Sequence, residues 1–369
     1  MKIRTSQYLL VLACKQGVRI TLATLALSVS SVACAAGYQI GVYYFPGWEN
    51  NQPGMPAPLP WQTIKAFPER QPLLGWYDDS SDAVVQKQID WMANAGLSYV
   101  VFDLLFQGNR AYLDQSLNAY LRAPNRNKLK FSILWANHNK TPNSLQQWQD
   151  MVHYWVNNYF SRPELLRING QPVIFVFSAW WLDNQAQSFG MTTKDLIASA
   201  QHIMHDAGLP DIYFVAGTGA DVPMINSAGR DAGYSAFTTY NYQRGPLPPH
   251  NTYSHSYAEL DEDYREQWYR FASDGNLPLI VPMTSGWDRR PWGGSKDPQH
   301  DNSLSTPALF KEHLKAAKSF MDAHQALTHN RGVICCWNEF GEGSFIEPTK
   351  AMGFAFLDQI ANIFGQPGN

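Results

Sequence analysis

A single (β/α)₈ TIM barrel with long loops on its C-terminal face is the fold this sequence predicts, on three observations. Eight short apolar runs recur along the chain, at 38–44, 98–106, 130–135, 172–178, 211–216, 234–240, 278–283 and 332–337. Helical-period stripes lie between them, and strands that alternate with helices build a parallel sheet. The segments after the first, sixth and seventh runs (45–81, 241–255 and 284–305) are long and rich in Pro, Gly, Trp and Tyr. Long structured loops on a barrel usually carry its function.

The helices follow from spacing. Val85, Ile89, Met92 and Gly96 recur at helical intervals, as do Leu145, Trp148, Val152, Trp155 and Tyr159. Phe310, Leu314, Ala317 and Met321 form a third stripe, opened by an N-cap and a first-turn proline at Thr306-Pro307. A last helix is expected over 350–363. Only 17 residues separate the fifth run from the sixth, so the helix between them must be short. No linker, repeat or low-complexity segment interrupts the pattern, and one catalytic domain is expected over 37–369.

Residues 1–36 read as a signal peptide. They carry Lys2, Arg4, Lys15 and Arg19 and no acidic residue, then an apolar stretch from Ile20 to Val32, then Ala33-Cys34-Ala35-Ala36. Thr21, Thr24, Ser28, Ser30 and Ser31 interrupt the stretch, which argues against a spanning anchor. The expected location is periplasmic or secreted, with cleavage after Ala35 or Ala36; a lipid-modified Cys34 is the alternative. The segment holds four of the 28 basic residues and none of the 31 acidic ones, so the chain beyond it carries a net charge of −7. That excludes nucleic acid and anionic membrane as expected partners. Two cysteines remain beyond it, Cys335 and Cys336. Neighbours in a strand point to opposite faces, so they are expected unpaired, as small buried side chains.

In such a barrel the active site sits on the loops that follow the strands. The densest polar cluster runs from Trp337 to Pro348, directly after the eighth run. Gly341 and Gly343 let the chain turn sharply, so Glu339 and Glu342 could aim at one point. Two carboxyl groups are what glycoside cleavage needs, one as acid and one as base or nucleophile. Other run ends add Tyr43 and Tyr44, Asp103, then Trp135, Asn137 and His138, then Tyr240, Asn241 and Tyr242, then Trp287 and Asp288. With Trp337, Asn338 and Glu347 they make a candidate substrate-binding ring. Aromatic residues make up 14% of the chain, and Trp48, Trp61, Trp76, Trp287 and Trp292 lie in the loops. Flat aromatic faces suit the C–H faces of sugars, so a carbohydrate substrate is expected.

Rival chemistries lack their patterns. There is no HExxH or Cys-Cys-His zinc spacing, no Walker or dinucleotide glycine fingerprint after a strand, and no G-x-S-x-G elbow. Asp261-Glu262-Asp263 lacks the ligand ladder of a calcium loop. No metal and no cofactor are expected.

The stretch Trp337-Asn338-Glu339-Phe340-Gly341-Glu342-Gly343-Ser344-Phe345-Ile346-Glu347-Pro348 resembles the W-N-E-[WF]-x-E-G-x-x-[IL]-E-P motif of glycoside hydrolase family 99 and its family-99-like relatives, the 71/99 superfamily that includes WbsX-type proteins. Tyr43-Tyr44-Phe45-Pro46-Gly47-Trp48, Leu134-Trp135-Ala136-Asn137 and Gly286-Trp287-Asp288 resemble that group's first, third and seventh strand ends. The resemblance implies a barrel and a two-glutamate retaining glycosidase. In that family one glutamate deprotonates the sugar's own 2-hydroxyl and a second, three residues on, acts as acid and then base. Carried over, these roles fall to Glu339 and Glu342. Gly341 stands where the mannosidases usually have His, and Phe340 where Trp is usual, so the resemblance does not extend to mannose. The family-99-like group also holds chains described as glycosyltransferases of polysaccharide biosynthesis. The expected function is therefore a glycoside hydrolase of a poly- or oligosaccharide, with a glycosyltransferase or a non-catalytic sugar-binding barrel as alternatives.

Overall fold

Alternation of side chains along each strand decides what the sheet looks like from its two faces. In the computed structural model, which describes residues 37–48, 60–108, 110–245 and 252–365, the eight apolar runs are eight parallel strands. They are β1 (Gln39–Tyr44), β2 (Tyr99–Gln107), β3 (Lys130–Trp135), β4 (Gln171–Val176), β5 (Tyr213–Gly217), β6 (Ala236–Thr238), β7 (Val281–Thr284) and β8 (Arg331–Cys335). Each pairs with its chain neighbour except that β1 also pairs with β8, Gln39 lying opposite Arg331. The ring closes between β6 and β7 at a single bridge, Phe237 to Leu279. There Phe237 N donates to Pro278 O at 2.8 Å and Ile280 N donates to Phe237 O at 3.0 Å.

Outward side chains such as Val42, Tyr44, Val100, Phe102, Leu104, Ile133 and Trp135 pack against helices. Inward ones such as Tyr43, Val101, Leu134, Phe175, Val215 and Cys335 fill the lumen. Fully burying one large apolar side chain contributes about 1.5–3 kcal/mol, and the two layers hold most of the chain's large apolar residues.

The outer ring is α1 (Asp82–Asn94), α2 (Gln115–Arg122), α3 (Leu145–Trp155), α4 (Thr193–Asp206), α5 (Val222–Ser227), α6 (Tyr257–Asp274), α7 (Pro307–Ala323) and α8 (Ala355–Phe364). An additional helix, Ala179–Ser188, precedes α4. The short α5 is the expected one. Thr306 caps α7, accepting from Leu309 N at 3.3 Å, with Pro307 in the first turn. Gly96 is not part of its stripe: α1 ends at Asn94, and Gly96 has φ +84°, the left-handed backbone that closes a helix. The last helix starts at Ala355, later than expected, after a turn in which Gly353 N donates to Thr349 O at 2.8 Å.

One expectation about the thiols is corrected. Cys335 and Cys336 form a disulfide with each other. β8 ends at Cys335, so Cys336 lies beyond the strand and the opposed orientation of strand neighbours does not apply to the pair. The signal-peptide reading of 1–36, with Cys34, lies outside the described residues, as do 49–59 and 246–251 of the long loops.

Candidate active site

The chain leaves β8 into a small hairpin on the C-terminal face of the barrel. Asn338 pairs with Phe345 and Glu339 with Ser344, antiparallel, so Glu342 sits in the connecting turn, its N donating to Glu339 O at 3.1 Å. The two glycines serve this turn differently. Gly343 has φ +75°, and a Cβ there would meet Asp288 N at 2.6 Å. Gly341 is absent from the left-handed region; it is needed for space, since a Cβ would stand 2.1 Å from the ring of Trp292. Asn338 clamps the hairpin to the end of β1: its Oδ1 accepts from Phe45 N at 2.8 Å and its Nδ2 donates to Phe45 O at 3.0 Å.

Glu339 is buried, 4% exposed, beneath this turn. Tyr240, from the end of β6, donates its hydroxyl to Glu339 Oε1 at 2.7 Å. Oε2 has no protein partner among the described residues. Asp103, inward-facing midway along β2 and not at its end as the sequence suggested, also keeps one oxygen unpartnered. Burial raises both carboxyls well above the ordinary range. The Glu342 charge adds to the rise in each, and the hydrogen bond with Tyr240 opposes it. Glu342 is half-buried and its carboxyl is pushed up to about 7 by desolvation, against the lowering effects of Arg289 and Asn241. Four polar groups from β2, β6 and the β8 hairpin are thus gathered at one opening: Asp103, Tyr240, Glu339 and Glu342. Tyr43 packs beneath, its ring 5.0 Å from that of Tyr240. Phe177 stands 5.4 Å from Tyr240 on another side, and exposed His138 lies 5.2 Å beyond it at the rim.

Several expected ring members lie elsewhere. Tyr44 and Trp135 face outward because their strand parity is opposite to that of Tyr43 and Asp103. Tyr44 bonds to Gln88 at 3.0 Å, and Trp135 packs on Trp148 and Trp155 at 5.4 and 6.0 Å. Trp48 is no sugar platform: it is fully buried, stacked on Trp61 at 4.0 Å, and donates to Asn338 O at 3.0 Å. Trp61 is equally buried, and Trp76 is half-buried against it at 5.2 Å. Asn137 is a backbone clamp, exchanging hydrogen bonds with Ser178 N and O at 3.0 and 2.9 Å. Trp337 is fully buried in the outer core.

Asp288 is occupied by two guanidiniums, buried Arg70 and exposed Arg290. Glu347 is sealed in a separate polar cluster, accepting from Tyr77 Oη at 2.7 Å and Gln88 Nε2 at 3.0 Å, and burial pushes its carboxyl up to about 8. Trp287 does border the mouth, though only 4% of it is exposed; it donates to Ser295 Oγ at 2.8 Å.

Arg70 and Arg289 did not stand out in the sequence. The clue for Arg70 was its place in a long first loop; for Arg289, its place beside Asp288 after strand seven.

The chain was compared with known proteins. The family described as "Glycosyltransferase WbsX" matches residues 65–360. Two curated relatives, each named "Uncharacterized protein WxcX" and coming from two strains of Xanthomonas campestris pv. campestris, are 21% and 22% identical over 305 residues. The match covers 77% of this chain and 42% of each relative, so the chain spans less than half the length of those proteins. Among solved structures, a glycoside hydrolase-like protein overlays with a TM-score of 0.62 at 15% identity, covering 89% of this chain and 94% of that one. The GH99 endo-alpha-mannosidase from Bacteroides thetaiotaomicron, in complex with bis-tris-propane, overlays with a TM-score of 0.60 at 18% identity, covering 88% and 95%. At such identities the likeness is one of fold, the (β/α)₈ barrel.

Proposed function

The chain belongs to the family described as Glycosyltransferase WbsX, and from the carboxyl pair at the mouth of its barrel we propose that it is a glycoside hydrolase acting on a poly- or oligosaccharide, with Glu339 and Glu342 as its catalytic pair. The observation that carries this reading is the pairing itself: two electrostatically linked carboxyls at the C-terminal mouth of the barrel, one of them poised near neutral pH. A group that titrates near 7 can hold a proton for a leaving oxygen and later take one from water.

The steps balance with these two residues. Glu342 gives its proton to the glycosidic oxygen as the bond to the anomeric carbon breaks. Burial favours the neutral form of Glu339 and the Tyr240 hydrogen bond its ionised form; the ionised form removes the proton of the sugar's 2-hydroxyl, whose oxygen closes on the anomeric carbon, and the alternative is direct attack by Glu339 itself. Ionised Glu342 then deprotonates the water that attacks the anomeric carbon, the bond from that carbon to the 2-oxygen breaks, Glu339 returns its proton to the 2-oxygen, and configuration is retained. Tyr240 holds Glu339 in place through Oε1 and leaves Oε2 for the sugar. Asp103, kept protonated by burial, is a donor for a sugar hydroxyl. We extend the proposal to export: the leader is removed and the domain from 37 onward works in the periplasm or outside the cell.

The family's description favours a second reading, transfer to a sugar acceptor in place of water. A polysaccharide panel with mass detection of products, water as sole acceptor, decides between them. Reducing-end products made by the wild type and lost in Glu342→Gln support hydrolysis. Products that appear only when an acceptor sugar is added overturn it.

A further inference from the structure

One flank of the mouth carries chemistry that the two glutamates do not use. Beside Glu342, a pocket of about 240 Å³ is lined by Tyr253, Trp287, Arg289, Ser295, Lys296 and His300. Drug-sized ligand sites run to ~300–1,000 Å³, so this one suits a single ring.

Its charge runs against the trend of the chain. The protein carries more acidic than basic residues, yet Glu342 is the pocket's one carboxylate and two cations line it. Among the described residues neither Arg289 nor Lys296 forms an ion pair. Arg289 spends one N–H on Gly294 O at 3.2 Å. The nearby carboxylates are engaged elsewhere: Asp297 with His255 at 2.8 Å, and Asp301 with the backbone N–H groups of Arg289 and Ser295, both at 2.9 Å.

His300 supplies a second, independent feature. It is 1% exposed, and its Nδ1 lies 3.0 Å from both Ser254 O and Ser254 Oγ, so Nδ1 either donates to the carbonyl or accepts from the hydroxyl. In both tautomers Nε2 is buried and without a partner among the described residues. Such a group costs free energy unless something bonds to it. Desolvation holds the imidazole below its usual range, which favours the neutral ring. The indole of Trp287 stacks on His300 at 5.2 Å and borders the same space.

We propose that this pocket binds an acidic sugar residue of the substrate chain, next to the bond that is cut. The anion lies between Lys296 and Arg289, a ring hydroxyl hydrogen-bonds to His300 Nε2, and Trp287 bounds the apolar side. The proposal rests on the carbohydrate reading of the site and adds the class of sugar. Uronate and sulfated sugars share the anionic chemistry, and two probe arms separate them.

The test measures binding by calorimetry or ligand-observed NMR. The probes are methyl glucuronide, glucose 6-sulfate and, as neutral control, methyl glucoside. The acidic probes should bind, the neutral one at least about tenfold more weakly, and affinity should fall as salt rises from about 50 to about 300 mM. Lys296 is exposed, so Lys296→Gln should fold normally, as its melting temperature will report. It should weaken the acidic probes about five- to tenfold and leave the neutral one unchanged. Tighter binding of one acidic probe identifies the anion as carboxylate or sulfate. Equal binding of the neutral sugar, indifference to Lys296→Gln, or no binding of either acidic probe overturns the proposal. Its failure is distinct from failure of the hydrolase reading. Cleavage of neutral polysaccharides without acidic preference removes only the acidic-sugar pocket. Selective binding of acidic probes by a protein that turns over no polysaccharide removes only the hydrolase.

Discussion

Tyr240 reaches from the end of β6 to the hairpin after β8 and donates its hydroxyl to Glu339 at 2.7 Å. The bond spends one oxygen of Glu339 on the protein, leaves the other buried without a protein partner among the described residues, and favours the ionised carboxylate.

Tyr240→Phe should therefore lower kcat on the order of tenfold to a hundredfold, the value of a hydrogen bond to a charged group. Without the donor the Glu339 carboxyl rises further, so more alkaline pH is needed to ionise it. The acidic limb of the pH–rate profile should move up, which loss of packing alone would not cause.

Glu342→Gln should cost on the order of 10²–10⁴ in rate for a natural leaving group. With an activated aryl glycoside, whose leaving group needs no proton, the loss should be much smaller. Glu339→Gln should lack that rescue. A 2-deoxy substrate should be inert if the 2-hydroxyl is the attacking group, and cleaved if Glu339 attacks directly. Wild-type turnover by both variants on a confirmed substrate would remove the assignment. The wild-type profile should be bell-shaped, its two limbs belonging to the pair.

Gly341→Ala should destabilise the fold by about 1–3 kcal/mol, because its methyl would collide with the Trp292 ring. The double variant Gly341→Ala, Trp292→Ala should recover part of that difference in chemical denaturation. Equal instability of the single and double variants would point to another cause.

Glu347 predicts a pH trend in stability. Its folded-state carboxyl titrates at about 8, above the ordinary 4.5. The folded chain thus binds more protons, and this group's contribution is fully present below about 4.5 and is lost as pH rises through about 8. Glu347→Gln, which mimics the protonated form, should grow more stable relative to wild type across that window. A constant difference between the two from pH 5 to pH 8 would contradict this.

Arg70→Met should cost about 3 kcal/mol, since it strips a buried partner from Asp288. Arg290 remains on that carboxylate, which keeps the cost from being larger. Urea unfolding of the variant reads it directly.

The eight strands were legible because short apolar runs between turn residues carry a local signal, and Thr306-Pro307 marked a helix start that the structure has. The site was legible in part. Glu339, Glu342 and Tyr240 sit just beyond strand ends, where local sequence says they should, whereas Asp103 lies midway along β2. Tyr44 and Trp135 stand at run ends as the site residues do, and only the alternation of faces along a strand turns them outward. Loop tryptophans look alike in sequence whether they line a cleft or, like Trp48, fill a satellite core. The contact of Arg70 with Asp288 spans 218 positions and leaves no local pattern. Arg289, Lys296 and His300 each resemble an ordinary surface residue until the fold groups them.

The guanidinium of Arg70 bonds at once to the backbone of Asp288 at 3.0 Å, to its carboxylate, and to Phe340 O at 2.7 Å. One side chain from the first loop thereby ties the seventh and eighth loops to itself. For the protein engineer, or for recombination in nature, this sets the smallest portable piece of the mouth. The strand-eight hairpin moved alone to another barrel would arrive without its anchor. The three loops must travel together, and variation in any one of them is constrained by the other two.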